Sequence, residues 1–184
     1  LGFITDIPVD RFREALAPMV RGEFEEEHRA MLDASVWRGD DCIFTSVALN
    51  DVVVTRGATA GMVELRVDVG DEFVANMRAD GLIVASPTGS TAYALSAGGP
   101  IVEPDFRTLL LTPVAAHNLF NRTMVLAPNT VVQVTVAGHR SAVVSLDGRH
   151  SLELAPGESV VCRASATEVG FLVPNIKKVS DCQI

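Results

Sequence analysis

No apolar run in this 184-residue sequence is long enough to cross a bilayer, and its start shows no basic segment leading into an apolar one. Basic charge is scarce: 15 Lys and Arg against 23 Asp and Glu leave a net charge of −8. That balance argues against a nucleic acid or an anionic membrane as partner, since both select a basic face. The cysteines, Cys42, Cys162 and Cys182, are odd in number and lack metal-ligand spacing, so reduced and mostly buried thiols are expected. His28, His117, His139 and His150 show no metal-like spacing either, and no metal site is expected within the chain. Aromatic residues make up 5%, with a single Trp and a single Tyr, Tyr93. Repeats, low-complexity tracts and long linkers are missing. A cytoplasmic protein is the expectation that remains.

What is present suits a compact domain plus a piece of another, with 48% apolar residues to build a core. Phe3-Ile4 reads as the end of a strand. Asp6 is placed to cap a helix running through Val9, Phe12, Leu16 and Val20, which Gly22 ends. Glu23 to Val36 allows two readings: its Glu and Ala content favours helix, but Phe24, Glu26, His28, Ala30, Leu32, Ala34 and Val36 form a period-two row. Strand-like runs follow at Cys42–Leu49, Val52–Thr55, Met62–Val69, Leu82–Ala85 and Leu109–Leu111. They continue at Met124–Leu126, Val131–Val136, Ala142–Leu146 and Val160–Arg163. Turn residues separate them at even spacing, the pattern of an antiparallel β-sandwich. Asp147-Gly148, within Leu-Asp-Gly-Arg, reads as a hairpin turn between two strands.

The densest signal is Asp80 to Pro100. A turn, Asp80-Gly81, leads into the short buried strand Leu82–Ala85, which Pro87-Thr88-Gly89 stops. Ser90 is a good N-cap for a helix over residues 91–97, and Gly98-Gly99-Pro100 ends it. A helix start behind glycine and hydroxyls offers free N–H groups to an anionic or nucleotide ligand. Such corners also occur as plain connections. Asn50-Asp51, read by itself, is a turn; Tyr93, read by itself, is a core residue with its hydroxyl at the surface; Arg78 and Asp80 are a surface ion pair.

Taken together, Asp80-Gly81, Pro87-Thr88-Gly89-Ser90-Thr91-Ala92-Tyr93 and Leu95-Ser96-Ala97-Gly98-Gly99-Pro100 closely resemble the nucleotide-binding segment of the NAD kinases. Leu1-Gly2-Phe3-Ile4-Thr5 looks like a strand of that family. Asn50-Asp51 looks like its Asn-acid motif, with Asp where Glu is usual. Leu111-Thr112-Pro113, His117, Asn118, Leu119, Arg122 and Asp147-Gly148 also fit, so the likeness covers about the first 150 residues. Glu168 to Ile184 departs from it, with Phe171, Lys177 and Lys178 as the only echoes. The family's phosphoryl-transfer motif, Gly-Gly-Asp-Gly-Thr, occurs nowhere in this sequence and belongs upstream of Leu1. The chain is therefore expected to be the C-terminal part of a longer enzyme, with no catalytic residue of its own.

The resemblance implies an α+β, mainly β fold: the last strand and helix of an α/β domain (residues 1–38), then a β-rich NAD-binding domain (residues 39–184). It tips Glu23 to Val36 toward strand. It implies transfer of a phosphoryl group from ATP or polyphosphate, with Mg²⁺ or another divalent metal, to the adenosine 2′-hydroxyl of NAD, giving NADP. Asn50 and Asp51 would grip a ribose, and Thr91, Ala92 and Tyr93 would meet the adenine with Ser96 nearby. Asp147 would lie near the ligand. Arg78, Asp80 and Ala115 would reach the nicotinamide half from a neighbouring subunit, in a homodimer or homotetramer. Two other readings stay open: a non-catalytic nucleotide-binding module, and a lipid kinase of the diacylglycerol or sphingosine type.

Overall fold

The period-two row at the start of the β-region decides how the chain is laid down. In the computed structural model, which describes residue 7 and residues 9–57, 61–117 and 121–174, Phe24–Arg38 is one long strand, β1. Leu32, Ala34 and Val36 point into the core while Asp33, Ser35 and Trp37 stay half-exposed on the other side. Side chains alternate across a strand, so one apolar row suffices to seat it on a core.

The following strands are β2 (Asp41–Ala48), β3 (Asp51–Thr55), β4 (Val63–Val69), β5 (Glu72–Ala79), β6 (Gly81–Ala85), β7 (Leu109–Val114) and β8 (Met124–Leu126). β9 (Val131–Val136), β10 (Ala142–Leu146), β11 (Arg149–Leu154) and β12 (Ser159–Pro174) complete the set. They form two six-stranded antiparallel sheets, ordered β2-β1-β12-β9-β4-β5 and β11-β10-β3-β6-β7-β8. The main core lies between them. Leu32, Leu65, Val67, Val134 and Val160 from the first sheet meet Val52, Val54, Leu82, Val84, Leu111 and Val144 from the second. Two packed antiparallel layers are the sandwich that the sequence spacing predicts.

A second apolar cluster covers the outer face of the second sheet: Val53, Ile83, Ala85 and Leu110 lie under Ala94, with Ala97 and Val102 packed against them. β3 and β6 are therefore covered on both faces, and every residue of β6 is buried. This explains why Leu82–Ala85 is a continuous apolar run, not an alternating one.

The helix expected over 91–97 is broken in two. A 3₁₀ turn spans Thr88–Thr91, Ala92 interrupts it at φ −94° and ψ −129°, and a single α turn, α2, spans Tyr93–Ser96. Ser90 caps neither piece. Its buried hydroxyl instead accepts from the Val102 N–H at 3.0 Å and donates to the Val102 carbonyl at 3.2 Å, tying the loop to the strap that follows.

Near the start, Val9–Arg11 is a 3₁₀ turn leading into α1, Phe12–Val20, which Gly22 ends at φ +81°. Its buried residue is Ala15, packed toward β12, while Val9, Phe12, Leu16 and Val20 are exposed. The strand expected at Leu1–Thr5, its cap Asp6, and the segment after Pro174 lie outside the described residues. The turn at Gly39 joins β1 to β2 within one sheet, and β1 is flanked on its other side by β12. Cys162 is a core residue whose thiol burial pushes up to about 12, whereas Cys42 is exposed, contrary to the expectation of burial. Among the described residues no helix is long and apolar enough to cross a membrane, and no group of three or more His, Cys, Asp or Glu could hold a metal ion.

Candidate functional site

The pair Asn50-Asp51 opens β3, which runs between β10 and β6 in the second sheet. Two side chains from distant parts of the sequence hold its backbone. Asp147 accepts the N–H groups of Leu49 (2.8 Å), Asn50 (2.7 Å) and Asp51 (3.1 Å). Its own N–H donates to the Asp51 carbonyl at 3.0 Å. Ser86 completes the clamp: its N–H donates to the Asn50 carbonyl at 2.9 Å and its hydroxyl to the Leu49 carbonyl at 2.5 Å. Every backbone N–H and C=O of residues 49–51 is thereby partnered.

Local sequence explains both clamps. Asp147 and Gly148 sit at φ +48° and +67°, the left-handed pair of a two-residue hairpin turn between β10 and β11. That turn delivers the Asp147 carboxylate to the edge of β3. On the other side, the Gly89 N–H donates to the Ser86 hydroxyl at 3.1 Å. A Cβ at Gly89 would lie 1.9 Å from the Asn50 carbonyl oxygen, so only glycine lets the loop close on β3.

Asp51 is a carboxylate with little access to water, 5% exposed. Burial pushes its pKa up to about 6; the neighbouring charge of Asp147 adds to that, and a hydrogen bond from the Tyr93 N–H opposes it. The group is thus mostly ionised at neutral pH and becomes neutral in mildly acidic solution.

Above Asp51 lies an open cleft of ≈ 460 Å³. Val53, Thr55 and Ser145 floor it, because they are the outward-pointing residues of β3 and its neighbour β10, with Ser145 directly opposite Val53. Ala92 and Tyr93 form one wall, Asp147 and Gly148 the other, and Asn50 and Asp51 close the end. Tyr93 is 43% exposed, so its ring is a face of the cleft and not part of the core. Among the described residues, the lining contains no Lys, Arg or His. Its chemistry is a flat aromatic face, an amide and a carboxylate side by side, and hydroxyls: a site for a neutral, hydroxyl-rich group attached to a planar ring.

Of the residues singled out from sequence, the cleft unites Asn50, Asp51, Ala92, Tyr93 and Asp147. Thr91 stands beside it with its hydroxyl donating to the Thr88 carbonyl at 3.2 Å, and Ser96 is exposed at the far end of α2. Arg78, Asp80 and Ala115 gather elsewhere, where the end of β5 in the first sheet passes into β6 and meets the end of β7 in the second. The Asp80 N–H donates to the Val114 carbonyl (3.0 Å) and the His117 N–H to the Arg78 carbonyl (2.9 Å). Asp80 pairs with Arg56 at 3.0 Å and Arg78 with Glu64 at 3.5 Å. Ala115 takes φ +48° at this bend, a strained value for a residue with a Cβ. Four residues of β3 separate the two places: the run from Asp51 to Thr55 rises about 13 Å along the strand, and Arg56 follows directly. Asn118 and Leu119 lie outside the described residues. Sequence reasoning did not name Val53, Thr55, Ser145 or Ser86 as site residues, although the outward parity of β3 would have pointed to the first two.

Comparison with known proteins places these features in context. Residues 49–173 match the family model described as the ATP-NAD kinase C-terminal domain. NAD kinase of Acidovorax ebreus is 52% identical over 174 residues, covering 95% of this chain and 58% of that protein. NAD kinase of Methylibium petroleiphilum is 53% identical over 178 residues, covering 95% and 59%. The chain thus spans rather more than half the length of these relatives. Among solved structures, yeast NADH kinase complexed with NADH superposes with a TM-score of 0.86 at 25% identity, over 95% of this chain and 52% of that one. An NAD kinase from Archaeoglobus fulgidus in complex with ATP gives 0.74 at 29% identity, over 90% and 62%.

Proposed function

The chain belongs to the NAD kinase family through its C-terminal domain, and from that we propose that it supplies the NAD-binding part of an enzyme that phosphorylates the adenosine 2′-hydroxyl of NAD to give NADP. The observation that carries the reading is the immobilised Asn50-Asp51 pair facing a cleft whose other wall is Tyr93. An amide and a carboxylate side by side can donate to one ribose hydroxyl and accept from the other. The Tyr93 ring gives the adenine a stacking face, with the backbone of Thr91 and Ala92 along its edge and Ser96 nearby.

Catalysis in phosphoryl transfer is mostly positioning and charge neutralisation. In this reading the described residues do the positioning. They hold the ribose so that its 2′-hydroxyl faces the donor, ATP or polyphosphate, and the Gly-Gly-Asp-Gly-Thr motif of the family is assigned the transfer itself. The divalent ion, Mg²⁺ or an equivalent, arrives with the donor. Within the cleft, Asp147 is already committed to the amides of Leu49, Asn50 and Asp51. The nicotinamide half meets Arg78, Asp80 and Ala115 of a neighbouring subunit, so that each dinucleotide is shared within a cytoplasmic homodimer or homotetramer.

Titrating the intact gene product with NAD by calorimetry tests the reading. Saturable binding that Asn50→Ala abolishes supports it; equal binding by parent and variant rejects it.

A further inference from the structure

We infer that Asp147 is a positioning residue for this site: its two carboxylate oxygens hold the amides of Leu49, Asn50 and Asp51 and so aim the Asn50 and Asp51 side chains into the cleft, without contacting the dinucleotide. The inference rests on the NAD-binding reading above and goes further by giving Asp147 work that a cleft-lining carboxylate would not otherwise have.

The geometry leaves Asp147 little to offer a ligand. A carboxylate presents about four lone-pair directions. Oδ1 accepts two amides, at 2.7 and 3.1 Å, and Oδ2 accepts a third at 2.8 Å. Bonds from N–H to an ionised acceptor are strong and directional. They are met on the other side by Ser86, which takes the Leu49 and Asn50 carbonyls. The pair-bearing segment cannot slide along or twist without breaking several bonds at once. Asn50 and Asp51 therefore enter the bound state with their backbone already ordered, and binding loses less conformational freedom.

Asp147 also acts on Asp51 through its charge. The charged group acting on Asp51 is Asp147 from the β10–β11 hairpin, with the Tyr93 backbone N–H from α2 acting in the opposite sense; Tyr93 is the other titratable residue lining the cleft. β6, its other strand neighbour, carries no titratable side chain. Removing the Asp147 charge removes the like-charge contribution that raises the Asp51 pKa, so Asp51 keeps its charge to lower pH.

Asp147→Asn is the variant of choice, because Asn tolerates the φ of +48° and keeps one acceptor oxygen, but turns an NH₂ toward one of the three amides. In the intact gene product without ligand, hydrogen exchange at the amides of 49–51 is expected to quicken roughly tenfold. NAD affinity is expected to fall by a similar factor, and the acid midpoint of NAD binding to move below the parent value. Ser86→Ala, which loosens the other side of the clamp without changing charge, should quicken the same amides and weaken NAD while leaving that midpoint in place; it also serves if Asp147→Asn does not fold. Weakened NAD binding with unchanged exchange at 49–51 in both variants would make Asp147 a ligand contact and overturn the inference. A parent protein that binds no NAD would instead overturn the reading on which it rests.

Discussion

Asp51 and Tyr93 line one cleft, the first as its charged end and the second as its aromatic wall. One comes from the start of β3 and the other from the single turn of α2. A ligand that stacks on Tyr93 therefore lies beside Asn50 and Asp51.

Tyr93→Ala removes the stacking face but leaves the backbone at this position in place. Stacking of a base on an aromatic is worth about 1–3 kcal/mol, so NAD affinity should fall roughly tenfold or more. Calorimetry, with a thermal melt to check the fold, measures it. Tyr93→Phe should bind within about threefold of the parent. Loss of stability with affinity unchanged would make Tyr93 a packing residue.

Asp51→Asn should separate activity from stability. The folded-state pKa of about 6 exceeds the ordinary 3.8, so the folded chain holds a proton that the unfolded chain releases between those values. Stability therefore rises as pH falls from 7 toward 4, and the ionised group costs up to about 3 kcal/mol above pH 7. The variant is expected to melt higher than the parent at pH 7.5, with the gap closing toward pH 4. NAD phosphorylation should drop about 10²-fold because the ribose loses its acceptor. A variant that melts lower at pH 7.5, or turns over at the parent rate, contradicts this.

Gly89→Ala drives a Cβ to within 1.9 Å of the Asn50 carbonyl, a backbone atom that cannot rotate away. Overpacking against backbone should destabilise by about 3 kcal/mol. The expected result in urea is a lower midpoint with the slope unchanged, together with weakened NAD binding.

How much of this was legible in the sequence depends on where the partners of each residue lie. β3 and β6 could be read as strands because they are covered on both faces and so carry unbroken apolar runs. β5 and β11 were not named beforehand. Both are edge strands, and β5 buries only Met77 and Ala79 among its polar neighbours. Asn50, Asp51 and Tyr93 stood out by local motif, and all three line the cleft. The Ser90 cap failed because its hydroxyl answers to Val102, twelve residues on. The clamp of Asp147 on residues 49–51 has no local signal, since it joins segments 96 to 98 residues apart. The turn that aims Asp147 was readable; what it aims at was not.

Subunit sharing can be checked by light scattering of the intact gene product over a dilution series, with and without NAD. A dimer or tetramer that loses NAD affinity on dilution is expected, and Arg78→Ala should weaken NAD without changing Tyr93-side contacts. A monomer with full activity would return Arg78 and Asp80 to the role of surface charges.

The most direct test of the whole account is a crystal structure of the intact gene product with NAD at saturating concentration. The account predicts the adenosine ribose within hydrogen-bond distance, about 2.7–3.2 Å, of the Asn50 amide and the Asp51 carboxylate, with the adenine against Tyr93. An empty cleft beside NAD bound elsewhere on the molecule would contradict it.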